Sequence, residues 1–174
     1  ETGMEDMRKY FQEEPLPMMA FTPDAEYGIC NREKGILHFA LHCNVKTRGN
    51  IRRFYSGEAI NAVPDRAVAE IGCSKEQLEL LKSAAQEQKG KFEIEEFTEG
   101  ARIISYGVAS HAMQPEFGFN AASHLMELLF MVFGGNQLEC FLQAIHALIG
   151  TETYGNSLGI NQKDEASGPL TLNL

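Results

Sequence analysis

The stretch Ala121–Phe133, AASHLMELLFMVF, constrains the fold of this chain most strongly. It follows Asn120, a suitable N-cap, and it is ended by Gly134 and Gly135. A helix that is apolar almost all the way round must be buried on more than one side. In a domain of this size we expect a second copy of the chain to cover one of those sides. The predicted homodimer interface consists of Leu125, Leu129, Phe130 and Phe133.

Capping signals and periodicity predict further helices. Ser74 can cap a helix whose N3 residue, Gln77, completes a capping box. Asn136 is a second N-cap, and the following QLECFLQAIHALIG places its apolar residues on one side, with Cys140 pointing outward. A short amphipathic helix is expected within residues 4–15.

Alternation of apolar and polar residues predicts the strands. KFEIEEF and ARIISYGVASHAM, joined by the turn TEG, indicate a hairpin at residues 91–113. Earlier in the chain, ILHFALHCNV at 36–45 alternates with period two and is expected to form a hairpin with the preceding AEYGICN. IRRFYSGEAI at 51–60 predicts a third strand, whereas we interpret INAVPDRAVAEIG at 60–72 as transitional.

His38 and His42 lie four residues apart in the strand predicted at 36–45, and Cys43 follows directly. Residues four apart on a strand are separated by about 13 Å, at ~3.3 Å per residue. Two imidazoles at that separation cannot share one zinc ion, and Cys43 points to the opposite face. We therefore predict no metal site and no cofactor, unless a distant residue pairs with one of the histidines.

The balance of charge argues against nucleic-acid binding. The formal net charge is −9, with 24 acidic residues against 15 basic ones, whereas binding to phosphates requires basic residues. A local basic cluster contains Arg32, Lys34, Lys46, Arg48, Arg52 and Arg53. These charges are either solvated residues of strand edges and turns or a docking patch. On the second interpretation, an extended acidic segment of another protein contacts Arg48, Arg52, Arg53 and Phe54.

The sequence contains no motif typical of nucleotide binding or of a catalytic triad. GxGxxG and GxxxxGK[ST] do not occur, and no spacing of Ser, Asp and His demands a triad. We see no signal peptide and no apolar run near the ~18 residues of a membrane span. The four cysteines show no CxxC spacing, which favours reduced thiols and a cytoplasmic protein; their even number leaves disulfides as an alternative.

The length of 174 residues suits one domain with its own core. We expect residues 1–3 to be a cloning scar and residues 4–150 to form a single α+β domain. Residues 151–174 are expected to be a polar arm, rich in Gly, Ser and Asn. The arm ends in PLTLNL, whose alternating leucines allow an edge strand.

The predicted order is αβββαββα, an α+β fold in which a small antiparallel sheet packs against helices. Three stretches carry a resemblance: FYSGEAINAVPD, GKFEIEEFTEGARIISYGV and HLMELLFMVFGGNQLECFLQAIHALIG. Over residues 35–150 the chain resembles the bacterial YbjN-like proteins and the class I type III secretion chaperones. The resemblance implies no catalytic residues, binding to other proteins or their regulation, and frequent homodimer formation.

Two classes of function follow from these observations. The favoured one is a non-enzymatic, chaperone-like or regulatory module that holds an extended segment of a partner protein. The alternative is a small enzyme or toxin-related factor that depends on Cys or His residues. Alkylation of the thiols distinguishes them, because a binding module is expected to keep its activity.

Overall fold

The computed structural model describes residues 4–21, 28–29, 34–42, 44, 49–135 and 140–174. The chain divides into two compact units, residues 1–36 and residues 37–174. The first unit contains helix α1 (Glu5–Glu13), within which the rings of Tyr10 and Phe11 pack edge to face with centroids 5.3 Å apart. The other described helices and strands belong to the second unit.

Four strands of the second unit form an antiparallel sheet. They are β1 (Ile51–Ser56), β2 (Arg66–Gly72), β3 (Lys91–Phe97) and β4 (Gly100–Tyr106). Their order across the sheet is β1-β2-β4-β3, so that β2 and β4 are central. Strands β3 and β4 form the hairpin that the alternation in KFEIEEF and ARIISY predicts.

The described residues of the second unit also form three α-helices: α2 (Lys75–Glu87), α3 (Ala121–Phe133) and α4 (Cys140–Leu148). The predicted capping box of α2 is present, because Ser74 and Gln77 each bind the backbone N–H of the other. Asn120 caps α3 as expected. The expected cap of the next helix, Asn136, lies outside the described residues.

Short elements lie in the loops. A 3-10 turn spans Pro115–Phe117. Strands β5 (Lys163–Asp164) and β6 (Gly168–Pro169) pair as a small hairpin within residues 151–174. Near the end of that segment the side chain of Leu172 is buried. Among the described residues, no helix combines the length and the apolar character needed to cross a bilayer.

Helix α3 lies at the centre of the core of the second unit. It contacts α2, α4 and the central strands β2 and β4, which cover several of its sides, whereas Met131 of this helix is exposed. Its residues Leu125, Leu128 and Leu129 are fully buried, and the core extends to Ile71 and Ile103 of the sheet. Most of the apolar residues of this helix are therefore covered within one chain.

The prediction of an α+β fold with a small antiparallel sheet packed against helices is confirmed, but the order of the described elements along the chain differs from αβββαββα. Between α1 and α2 the described residues form two strands, whereas three were expected. In the stretch predicted as a strand at 36–45, the described residues 36–42 and 44 belong to no helix or strand, and the apolar side chains of Leu37 and Leu41 are exposed. Period-two alternation makes a strand only where a neighbouring strand supplies hydrogen bonds.

Strand β2 comes from the stretch interpreted as transitional. Its successive residues Ala67, Val68 and Ala69 are all buried, and the side chains of a strand alternate between the two faces of the sheet. Both faces of β2 are thus covered at this point. A strand that is covered on both faces has a continuous apolar run instead of alternating apolar and polar residues. A search for alternation therefore does not detect β2.

Candidate functional site

A loop follows β4 and carries His111. The loop begins at Gly107, where a Cβ atom would lie 2.0 Å from the carbonyl oxygen of Phe119. Only glycine permits this approach, which brings the two ends of the loop together. Val108 and Phe119 then pair as an antiparallel β-bridge, with N–H to oxygen distances of 3.0 and 2.9 Å. The loop is therefore closed at its base.

A second segment, residues 61–63, fixes the tip of the His111 loop. The backbone N–H of Ala112 donates to the carbonyl oxygen of Asn61 at 2.9 Å, and the N–H of Val63 donates to the carbonyl oxygen of Ser110 at 2.8 Å. Ala62 and His111 are bridge partners. Because Val63 is also buried, this contact connects the loop to the core.

The imidazole of His111 is exposed, and its orientation is set locally. The backbone N–H of Met113 donates to Nδ1 of His111 at 3.1 Å. An Nδ1 atom that accepts a hydrogen bond is unprotonated, so the neutral ring carries its proton on Nε2. The described residues provide no hydrogen-bond partner for Nε2. His111 thus presents an N–H donor on an anchored loop, and the exposed Asn61 lies on the adjoining segment.

A cleft of about 290 Å³ lies beside α3 and α4. His124 of α3 and His146 of α4 are among the residues that line it. His146 Nδ1 lies 2.7 Å from a carboxylate oxygen of Glu127, and the His146 ring stacks on Phe130. The His124 ring stacks on Phe119 with centroids 3.8 Å apart. Burial lowers the pKa of His124. Both rings hold packed elements together, which is a structural role.

Three of the four residues predicted to bind a partner, Arg52, Arg53 and Phe54, lie on β1. Arg48 lies outside the described residues. Arg52 occupies the β-bulge of β1, and its guanidinium donates to the carbonyl oxygen of Glu99 at 3.1 Å. Arg53 is exposed, whereas Phe54 packs against the core.

The residues predicted for a homodimer interface lie inside the chain's own core or at its edge. Leu125, Leu129 and Phe133 are buried there, and Phe130 is half-buried beneath His146. The homodimer remains a prediction, but the apolar character of α3 no longer requires it.

The candidate metal ligands do not come together in the described part of the chain. His38 and His42 are exposed, and Cys43 lies outside the described residues. No group of three or more His, Cys, Asp or Glu residues within the described ranges could hold a metal ion. Cys140 is exposed, as predicted, and burial raises the pKa of the half-buried Cys73 thiol.

Sequence reasoning missed His111, because SYGVASHAM was interpreted as the continuation of a strand. The strand ends at Tyr106, and an irregular loop begins at Gly107. A usable signal was present in the glycines at 107 and 118, which bracket a segment containing Pro115. Such punctuation is typical of a loop, where binding residues are concentrated.

Comparisons with known proteins point to dipeptidases. In an alignment of 176 positions that covers 95% of the chain, the sequence is 36% identical to the Bacillus subtilis (strain 168) protein named "Putative dipeptidase YtjP". In an alignment of 180 positions that covers 98% of the chain, it is 34% identical to the "Beta-Ala-Xaa dipeptidase" of Lactobacillus delbrueckii subsp. lactis. The chain spans 37% of the length of each of these relatives. No model of a protein family matches the chain.

These relatives overturn the resemblance to YbjN-like proteins and type III secretion chaperones. The prediction of a non-enzymatic, regulatory module that binds an extended protein segment is wrong, because relatives that match nearly the whole chain are named dipeptidases. The alternative of an enzyme fits those names better. The resemblance failed because a small sheet with covering helices, a Val-Pro turn and a glycine-containing hairpin occur in many unrelated proteins.

Proposed function

We propose that this chain is part of a dipeptidase and that its second unit presents His111 to the dipeptide. The observation that carries the proposal is the identity of 36% and 34% to relatives with that name, across 95% and 98% of the chain. Because the chain spans 37% of each relative, we assign to it only the contribution that its own residues can make.

The chemistry of His111 suits a dipeptide. A dipeptide carries a peptide carbonyl and a terminal carboxylate, and the Nε2–H of a neutral histidine can donate to either oxygen. When the peptide bond is attacked, its carbonyl oxygen gains negative charge. A donor held in place stabilises this charged transition state more strongly than it stabilises the uncharged ground state. The hydrogen bond from Met113 keeps the donor on Nε2.

The substrate class we propose is a dipeptide, including those with an N-terminal β-alanine. The name of the Lactobacillus relative supports this class, because it specifies a Beta-Ala-Xaa substrate. The exposed amide of Asn61, adjacent to the His111 loop, offers both a donor and an acceptor for a polar substrate. A small peptide replaces the partner protein of the earlier interpretation.

The test is a segment exchange. The matching segment of the Lactobacillus dipeptidase is replaced by this chain, and hydrolysis of a β-alanyl dipeptide is measured. We expect the hybrid enzyme to be active, and His111→Ala and His111→Gln to lower kcat/KM by about 10²- to 10⁴-fold, the range typical of a positioned acid, base or donor. His38→Ala, which changes another exposed histidine, is the matched control.

A folded hybrid enzyme without hydrolysis contradicts the proposal, as do His111 variants with the activity of the His38→Ala control. Circular dichroism and thermal unfolding establish whether each hybrid is folded. Both substitutions at His111 are needed, because glutamine keeps an N–H donor while removing the ring.

We also propose that the protein is cytoplasmic. Within the described part of the chain the thiols of Cys73 and Cys140 form no disulfide, and this supports the localisation. Fractionation of the source cells, followed by immunodetection of the chain, tests it. Recovery in the extracellular or membrane fraction contradicts it.

A further inference from the structure

Asn173 connects helix α3 to the segment that pairs with the His111 loop. The connection is a series of side-chain hydrogen bonds that ends at Ala62. The series begins at Asn120, whose side-chain oxygen caps α3 by accepting from the backbone N–H groups of Ala122 and Ser123. The amide nitrogen of the same side chain donates to Oδ1 of Asn173 at 3.1 Å and to the carbonyl oxygen of Leu174 at 2.9 Å.

Asn173 continues the series. Its Nδ2 atom donates to the carbonyl oxygen of Ala62 at 3.1 Å, across 111 residues of sequence. Ala62 is the β-bridge partner of His111. The short segment 61–63 is therefore held on one side by the His111 loop and on the other by Asn173.

The main chain at Asn173 is held in place independently of its side chain. Leu172 is buried, and its backbone N–H donates to the carbonyl oxygen of Thr153 at 2.8 Å. This segment, Val63 and Asn120 together line a small cavity of about 70 Å³. A change of the Asn173 side chain should therefore remove its hydrogen bonds and leave the segment folded.

We propose that Asn173 is a positioning residue that fixes His111 through the backbone of Ala62. Its consequence for catalysis rests on the proposed dipeptidase function; its effect on the loop does not. Without the Asn173 donor, the half-buried carbonyl oxygen of Ala62 lacks a hydrogen bond, which is unfavourable. Segment 61–63 can reduce this free-energy cost by moving toward solvent, where water can donate to the oxygen. Two backbone hydrogen bonds then open more often: the one between Asn61 and Ala112 and the one between Val63 and Ser110.

Three substitutions separate the individual contacts. Asn173→Ala removes both side-chain hydrogen bonds. Asn173→Asp keeps an acceptor for Asn120 but loses the donor to Ala62. Asn120→Asp retains the helix cap while losing its donors to Asn173 and Leu174. The matched control is Asn156→Ala, which removes a side-chain hydrogen bond to Glu152 elsewhere in residues 151–174.

The first readout is hydrogen exchange and ¹⁵N NMR of the whole chain, which needs no enzymatic activity. At pH 7.5 we expect the N–H groups of Ala112 and Val63 to exchange roughly two- to tenfold faster in Asn173→Ala and Asn173→Asp, the effect of one lost hydrogen bond. The ring nitrogen signals of His111 should shift in both variants. Unchanged exchange and unchanged His111 signals, relative to Asn156→Ala, overturn the proposal.

The second readout uses the hybrid dipeptidase. We expect Asn173→Ala to lower kcat by roughly tenfold with little change in KM, because a displaced group reacts poorly although the substrate still binds. An effect on KM alone overturns the positioning role. If His111→Ala is as active as the His38→Ala control, the proposed function fails, whereas the effect of Asn173 on exchange still decides whether it positions the loop.

Discussion

The backbone N–H of Met113 donates a hydrogen bond of 3.1 Å to Nδ1 of His111, two residues earlier in the chain. The contact is local, so the loop's own backbone determines which ring nitrogen is available to a ligand. The position of the His111 loop depends on other contacts. The loop is hydrogen-bonded to segment 61–63, and that segment is hydrogen-bonded to Asn173. The two levels of control can be tested separately.

The first prediction concerns the tautomer of His111. In its neutral form we expect the proton on Nε2, because Nδ1 accepts the Met113 hydrogen bond. Long-range ¹H–¹⁵N correlation spectra of the chain report the tautomer, and the signals are assigned by their loss in His111→Gln. A ring protonated on Nδ1 contradicts this expectation.

The second prediction concerns the base of the His111 loop. Gly107→Ala should destabilise the chain by about 1–3 kcal/mol, the usual cost of overpacking. The added Cβ would lie 2.0 Å from the backbone oxygen of Phe119 and 3.1 Å from that of Pro64, and the backbone cannot yield as a flexible side chain does. Urea unfolding measures the change.

Gly135→Ala is the matched control for Gly107. A Cβ atom there meets no described atom within 4 Å, and we expect a change within about 0.5 kcal/mol. Equal effects of the two substitutions would show that the close approach at Gly107 is not what requires glycine.

The third prediction concerns the core beneath the sheet. Leu129→Ala should lower the free energy of unfolding by about 2–5 kcal/mol, because the residue is fully buried and its removal leaves a cavity. Met131→Ala, at an exposed position on the same helix, should change it by less than about 0.5 kcal/mol. Chemical denaturation of both variants at several protein concentrations measures the difference, and a mild effect at Leu129 contradicts the described packing.

The fourth prediction concerns pH. Burial lowers the pKa of His124, Lys89 acts in the same direction, and Glu127 opposes them. A histidine with a lowered folded-state pKa favours the neutral form, so its contribution is present above the ordinary value of about 6.5 and is lost as the pH falls toward the folded-state pKa. The free energy of unfolding should therefore decrease below pH 6.5.

His124→Gln should remove part of that decrease, since glutamine does not titrate. The comparison is made by urea unfolding between pH 5 and 8, with His38→Gln as the control at an exposed histidine. Parallel stability curves for the wild-type chain and His124→Gln would assign the pH dependence to other groups.

Local signals in the sequence predicted the local elements well. The capping box of α2 depends on Ser74 and Gln77, three residues apart, and both of its hydrogen bonds are present. The β3–β4 hairpin depends on one tight turn and on alternation in the two flanking segments. Each of these structures forms between residues that are close in sequence, so a short window contains the information.

Prediction failed where the structure depends on partners that are distant in sequence. Strand β2 lies between β1 and β4, and its apolar residues are covered on both faces, which erases the alternating pattern. The stretch at 36–45 has the pattern, but its described residues take no place in a sheet. Alternation of apolar and polar residues indicates only a preference for an extended backbone. Whether a strand forms depends on pairing with a neighbouring strand.

The sequence by itself determined the caps at Ser74 and Asn120, the β3–β4 hairpin, the apolar helix α3 and the α+β class of this chain, because the physical causes act over a few residues or one helical face. Only the tertiary structure decided what covers α3 and which histidine stands on an anchored loop. His111 is oriented by Met113, but it is located by Ala62 and, through Ala62, by Asn173 at a distance of 111 residues along the chain from Ala62. Hydrogen bonds of that range depend on how the elements pack, and packing follows from all the buried residues together.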